Sequence, residues 1–322
     1  MLQLDQHGPI TAIRMARSLL GRPVYWTAAY LVDGLLIDSG PPCTALELVR
    51  LLGRSRVEQV VVTHGHEDHI GGLAALRMAF PDLRIYANWR TLPLIEDPAL
   101  LGMQLYRRLL WGLPLPFYSA RLPDDNRIRT PKYTFRLVET PGHSLDHVSL
   151  WEPDQRWLFS GDAFIGGQDR AWSPEVDMFA TIGSLRTLIS LRPQRLFPGS
   201  GHVRKDPMTD LQSKLLYLTD LCARVADLDA EKLPTDQSVE QLFGSESSMK
   251  FWTRGHFSAE NLITACRSYN ALVSPVRPGR HLSRPAQPGP VGSQDLPHSP
   301  IPPPDQDEST DLNDSNDLSH SR

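Results

Sequence analysis

Cysteine is scarce in this chain of 322 residues: Cys43, Cys222 and Cys266 are the whole complement. Three widely spaced thiols with no Cys-x-x-Cys pair do not read as a disulfide framework, and a reducing compartment suits them. Long apolar runs are missing too. No segment approaches the roughly 18 to 20 apolar residues needed to span a bilayer. The opening MLQLDQHGPITAIRMARSLLG lacks the basic start, unbroken apolar stretch and small-residue cleavage site of a secretory leader. A cytoplasmic protein with no membrane partner is the expectation. There is no surplus of either charge, since 33 basic and 37 acidic side chains leave a formal −4. Four arginines against seven carboxylates between Val276 and Arg322 account for −3 of it. The near-neutral remainder argues against a nucleic-acid footprint spread over the surface, though it leaves room for a local basic groove, and a small-molecule substrate is the expected partner.

What is present reads as alternating strands and helices. Apolar, β-branched runs at Val24 to Val32 and Leu35 to Ile37 are broken by Asp33-Gly34, as in a hairpin. Thr44 to Leu52 has helical spacing and stops at Gly53, and Val57 to Val62 reads as a buried strand. Helices are expected at Gly72 to Ala79, Leu100 to Trp111 and Ile182 to Leu191. Strands are expected at Leu83 to Ala87, Phe135 to Glu139, His147 to Trp151, Trp157 to Phe159 and Arg195 to Phe197. This is an α/β pattern for residues 1–206. A helical appendage follows over 207–274, with main runs at Leu211 to Leu228 and Ala259 to Tyr269. Residues 275–322 are rich in proline, then acidic, with too few apolar side chains to offset the cost of ordering, so disorder is expected there.

Three histidines fall within six residues, in Thr63-His64-Gly65-His66-Glu67-Asp68-His69. Such an H-x-H-x-D-H pattern arises by chance on the order of once in a thousand chains of this length. His64 closely follows a strand, and residues i and i+2 of extended backbone point the same way, so His64 and His66 can reach one ion. The turn through Glu67 brings Asp68 and His69 to an adjacent position. Strand ends followed by a Gly and a metal-competent side chain recur at Thr140-Pro141-Gly142-His143, Ser160-Gly161-Asp162 and Pro198-Gly199-Ser200-Gly201-His202. Four strands would thus deliver ligands to one end of a sheet, where α/β proteins place their sites. His64, His66, Asp68, His69, His143, Asp162 and His202 are too many for one catalytic zinc. Two divalent ions about 3.5 Å apart with a carboxylate between them fit better. Imidazole and carboxylate without thiolate suits zinc first, with iron or manganese as alternatives.

These motifs, with Ile37-Asp38-Ser39-Gly40 before them, resemble the metallo-β-lactamase superfamily, in its glyoxalase II-like hydrolase branch. The resemblance runs from about Ile10 to His202. It implies a four-layer αβ/βα sandwich with a binuclear site at its edge. His64, His66 and His143 would hold the first metal, and Asp68, His69 and His202 the second. Asp162 would bridge them. True β-lactamases of this fold lack that aspartate and are secreted, and flavodiiron proteins usually carry Glu where His66 stands. A hydrolase acting on a thioester or lactone is therefore the leading expectation. A phosphodiesterase or endoribonuclease with the same site and an iron-dependent persulfide oxygenase are the alternatives.

Two cations sharing a water would lower its pKa from about 15.7 toward about 7 and yield a bridging hydroxide at neutral pH. Asp68, mainly a ligand, is also the candidate acceptor of the water's proton. Asp38 has two readings, a hydrogen-bond partner for a ligating imidazole and a turn or cap before Cys43-Thr44. Ser144 is a candidate for holding the His143 loop. His147 is expected to be a structural hydrogen-bonding residue. Between the first two motifs, Arg107-Arg108 reads as a solvated helix face rather than a contact for an anionic substrate, and Trp89, Tyr106, Trp111 and Phe117 mostly as packing. Ser258 is the expected N-cap of a late helix. Arg204, Lys205 and Tyr217 are the nearest candidates for a glutathione-like substrate.

Overall fold

The computed structural model describes residues 1–273. The expected disorder over 275–322 lies outside the described residues. Six strands form the first sheet: β1 (Leu2–His7), β2 (Ile10–Met15), β3 (Thr27–Val32), β4 (Leu35–Ile37), β5 (Gln59–Val61) and β6 (Arg84–Tyr86). They lie side by side in chain order, antiparallel from β1 to β4 and parallel from β4 to β6. The second sheet has five, β7 (Arg127–Arg129), β8 (Thr134–Glu139), β9 (Val148–Glu152), β10 (Trp157–Gly161) and β11 (Arg195–Pro198). Its order also follows the chain, and only β10 and β11 run parallel.

The side-chain period of two divides each strand between two cores. Ile10, Ala12, Tyr30, Leu35, Ile37 and Val61 of the first sheet meet Phe135, Leu150, Phe159 and Phe197 of the second in one buried layer. Phe159 stacks on Phe197 with centroids 4.6 Å apart, and Tyr30 meets both edge-on. Each of these fully buried large side chains contributes about 1.5 to 3 kcal/mol. The alternate residues Ile13, Met15, Leu36, Val60 and Val62 face outward, onto α1 (Ala45–Leu52), α2 (Glu67–Ile70) and α3 (Leu73–Ala79). Leu158 and Leu196 of the second sheet face α6 (Met178–Ser190), α7 (Pro207–Ala230) and α10 (Ala259–Val273) instead. The result is helix, sheet, sheet, helix, with the C-terminal helices sharing a core cluster with α6. Among the described residues, no helix is long and apolar enough to cross a membrane.

Differences from the sequence reading have local causes. The single helix expected over Leu100 to Trp111 is a 3-10 turn at Pro98–Leu101 and then α5 (Leu105–Trp111), because Gly102 takes a left-handed conformation at φ 53°. Strand β1 lies at the exposed edge of its sheet, and its two apolar residues, Leu2 and Leu4, are too few to mark it in the sequence. Short helices α4 (Leu92–Glu96), α8 (Thr235–Phe243) and α9 (Ser248–Trp252) complete the set.

Candidate metal centre

All the ligand-bearing loops leave the same end of the two sheets. Beyond β5, Thr63 and His64 are fully buried. His66 keeps extended backbone (φ −67°, ψ 149°) as the residue before α2, so that one helical turn carries Asp68 and His69 back toward His64. The loop after β8 supplies His143, and the one after β10 supplies Asp162. Two donor groups result, His64 with His66 and His143, and His64 with His69 and Asp162; within each, ligand atoms lie within 4.8 Å of one another. His66 Nδ1 stands 3.0 Å from His64 Nε2 and 2.9 Å from His143 Nε2. The Asp162 carboxylate spans the groups, with Oδ1 3.5 Å from His69 Nε2 and Oδ2 3.5 Å from His143 Nε2. Asp68 Oδ2 lies 3.7 Å from His69 Nε2.

The electrostatics of this cluster call for a cation. Burial, reinforced by neighbouring imidazoles, pushes His64 and His66 well below the usual histidine range, leaving neutral rings with lone pairs to offer. Burial opposes a charge on His69 as well, but Asp38, Asp68 and Asp162 outweigh it and hold its pKa well above normal. Burial would raise Asp162, yet His69, His143 and His147 keep it well below the carboxylate range. His69 Nε2 is buried and has no hydrogen-bond partner among the described residues. Buried polar atoms are nearly always paired, and a divalent ion bound by His69 and the adjacent carboxylates would meet that need. The donor set fits such ions.

Behind the donor groups, Asp38 is hydrogen-bonded to an imidazole of the cluster, that of His69. Its Oδ2 lies 2.8 Å from His69 Nδ1 and accepts from Thr63 Oγ1 at 3.0 Å, and Oδ1 accepts from the Thr63 N–H at 2.7 Å. That bond directs His69 Nε2 to the cluster. His147 uses both ring nitrogens structurally: Nδ1 meets Thr140 Oγ1 at 2.8 Å and Nε2 accepts from the Asp162 N–H at 3.0 Å. Ser144 holds its loop through its carbonyl, which accepts from Gly142 N–H, while its hydroxyl has no partner among the described residues. Gly199 is needed because a side chain there would meet Asp162 Oδ1 at 2.0 Å.

Five of the seven candidate ligands make up the two donor groups, Asp68 lies beside them 3.7 Å from His69 Nε2, and His202 does not join them. Its side chain is exposed, and the charged groups around it are Arg14, Arg204 and Asp5. The chain after β11 turns at Gly201 (φ 77°) and returns to pair Arg204 with Leu196, which leaves His202 outside both donor groups. Arg107 also departs from expectation: its guanidinium turns inward and grips both carboxylate oxygens of the fully buried Glu67, at 2.7 and 2.5 Å. Tyr106 bonds His256 at 2.8 Å, Trp111 packs edge-on against Tyr25, and Phe117 is buried in the outer core. Trp89 is exposed beneath Arg90. Ser258 caps α10 by accepting from Asn261 N–H, and the Tyr217 hydroxyl donates to the Asp169 carbonyl. Glu67 and Asp146 carried no sequence signal, since their partners are far off in the chain.

The sequence pattern of the metallo-beta-lactamase superfamily matches residues 27–200. A beta-lactamase-like protein 2 homolog of Drosophila melanogaster is 28% identical over 49% of this chain and 50% of its own length. A hydroxyacylglutathione hydrolase of Bdellovibrio bacteriovorus is 26% identical over 63% of this chain and 76% of its own. An atrochrysone carboxyl ACP thioesterase of Aspergillus fumigatus is 29% identical over 73% of this chain and 48% of its own. The chain thus spans about half the length of the first curated relatives it matches. In fold it is similar to a metallo-beta-lactamase family protein of Thermus thermophilus, with a TM-score of 0.59 at 16% identity over 82% of this chain and 93% of that one.

Proposed function

The chain belongs to the metallo-beta-lactamase superfamily, and from that premise we propose that it is a hydrolase of ester-like bonds, a thioester or lactone, working with two divalent ions. The observation that carries this reading is the pair of donor groups joined at His64, with one Asp162 oxygen turned to each. Relatives named as a hydroxyacylglutathione hydrolase and an acyl-carrier thioesterase support an acyl substrate over a phosphodiester.

His64, His66 and His143 would hold one ion, and His69, Asp68 and Asp162 the other, with Asp162 shared. Bound there, such ions polarise a carbonyl and lower the pKa of water from about 15.7 toward about 7. The protein's own part is positional and acid–base. Asp38 fixes the His69 ring, His147 holds the Asp162 backbone, and Asp68, buried beside His69, accepts the proton of the attacking water. Cys43, Cys222 and Cys266 lie outside both groups, so the donors are imidazole and carboxylate, which suit zinc, our first choice, and also iron or manganese.

The test is to measure bound metals in the purified protein and assay a thioester, a lactone, an aryl phosphodiester and single-stranded RNA side by side. Turnover of the thioester or lactone is expected. Cleavage of the last two alone would sink the reading.

A further inference from the structure

Asp38 serves the group that contains His69, and the other group has a carboxylate of its own. Asp146 lies on the loop that carries His143 and is only 5% exposed. Its Oδ2 accepts the backbone N–H of Gly65 at 2.7 Å, and Gly65 is the residue between His64 and His66. The same oxygen accepts from Thr91 Oγ1 at 2.8 Å, and the Asp146 carbonyl accepts from Asn88 Nδ2 at 3.3 Å. The turn has little slack, because a side chain on Gly65 would meet Leu94 at 2.5 Å and Asp146 Oδ2 at 3.2 Å.

We infer that Asp146 is a positioning residue for the first metal, tying the His143 loop to the His64-Gly65-His66 turn and so setting how far apart these three imidazoles stand. The inference rests on the metal-binding reading given above. Its physical basis is direct. A charge-assisted bond to a buried N–H is about twice as strong as a neutral one. The backbone bond from Val148 N–H to the Thr63 carbonyl joins the same two segments before His64, and the Asp146 carboxylate extends that tie into the turn itself. Without it, the Gly65 N–H and Thr91 hydroxyl lose their common acceptor, and His143 is no longer referenced to His64 and His66. Partners of this kind behind ligands typically govern metal affinity by about 10- to 100-fold.

The experiment is a titration of the chelator-stripped full chain with Co²⁺, in competition with a chromophoric chelator, read together with the visible absorption of bound Co²⁺. Wild type should take up two ions. Asp146→Ala should weaken one binding step by about 10- to 100-fold and change the absorption bands. Asp146→Asn should restore most of the affinity, because its amide oxygen, standing where Oδ2 does, still accepts from both the Gly65 N–H and the Thr91 hydroxyl. Should Asp146→Ala not fold, Thr91→Ala takes its place, with a smaller loss expected in the same step. Wild-type affinities and bands in Asp146→Ala, or in Thr91→Ala when that variant stands in for it, overturn the inference. A loss in Asp146→Asn as large as in Asp146→Ala overturns its hydrogen-bond basis. Wild type that takes up no Co²⁺ overturns the metal reading itself, and this inference with it.

Discussion

Replacing Arg107 with alanine would leave Glu67 as an unpaired carboxylate in the interior. The glutamate side chain is fully buried and the guanidinium is 15% exposed, so both charges are largely withdrawn from water. They meet through two hydrogen bonds, Nε to Oε1 and Nη2 to Oε2, in a forked geometry. Removing one partner of such a pair costs about 3 to 5 kcal/mol, a large share of the roughly 5 to 15 kcal/mol that holds a typical domain together. Urea unfolding of the metal-free protein would read the loss. Arg108→Ala is the internal control, since that side chain is exposed and gives up a single bond, from its Nε to the Met103 carbonyl at 3.0 Å, which should cost about 0.5 to 1.5 kcal/mol. Exchanging both partners for apolar residues, Glu67→Leu with Arg107→Met, should cost far less than the single change.

Burial, with Asp68 beside it, already raises the Glu67 pKa, and Arg107 holds it down. Without Arg107 it rises further above its unfolded value. The folded variant then keeps a proton that the unfolded chain has released, so the variant loses stability relative to wild type as pH rises above the unfolded pKa. The deficit should therefore be greatest near neutrality and shrink as pH falls toward about 4.3, the unperturbed glutamate value. A cost below about 1 kcal/mol, the range of exposed pairs, or a deficit that grows in acid, would refute the account.

Asp162→Ala should abolish most activity while keeping a cooperative unfolding transition, and metal analysis should show fewer ions per chain; full activity in this variant would count against a shared carboxylate. Chelation should remove activity and lower the melting temperature, because an ion present at about 100 times its Kd stabilises the fold by about 2.7 kcal/mol; an unchanged melting temperature after verified metal removal would contradict a site built into the folded state. Burial pushes His147 down to about 3 in the folded protein. The unfolded chain then binds the extra proton below about pH 6.5, so stability falls as pH is lowered through that window by up to about 1.4 kcal/mol per unit. His147→Gln should flatten that part of the profile in metal-free protein, and superimposable profiles would show that His147 is not held neutral by its surroundings.

The donors were legible in the sequence because each depends on local geometry. His64 and His66 follow a strand whose β-branched run announces it, and His143 and Asp162 sit directly after a strand and a glycine. Apolar, β-branched runs likewise foretold β3, β4 and β5. Partners across space left no such trace. Arg107 stands 40 positions from Glu67 and Asp146 stands 81 from Gly65, so no spacing rule connects them. His202 shows the limit from the other side: it follows a strand and a glycine like the rest, yet the return of the chain to pair Arg204 with Leu196 leaves it exposed.

The motif residues decide which atoms can bind an ion, but Asp38, Asp146 and Arg107 decide how rigidly those atoms are presented. Asp38 serves His69, Asp146 spans the turn between His64 and His66, and Arg107 holds the start of α2 through Glu67. A bound ion demands a fixed ligand geometry, and ordering flexible loops around it would subtract from its affinity. Substitutions at the donors should accordingly remove an ion outright, whereas those at the three supporting residues should leave the donor set intact and lower affinity by degrees. The two classes separate in one experiment: raising the free metal concentration should restore occupancy in the second class and not in the first.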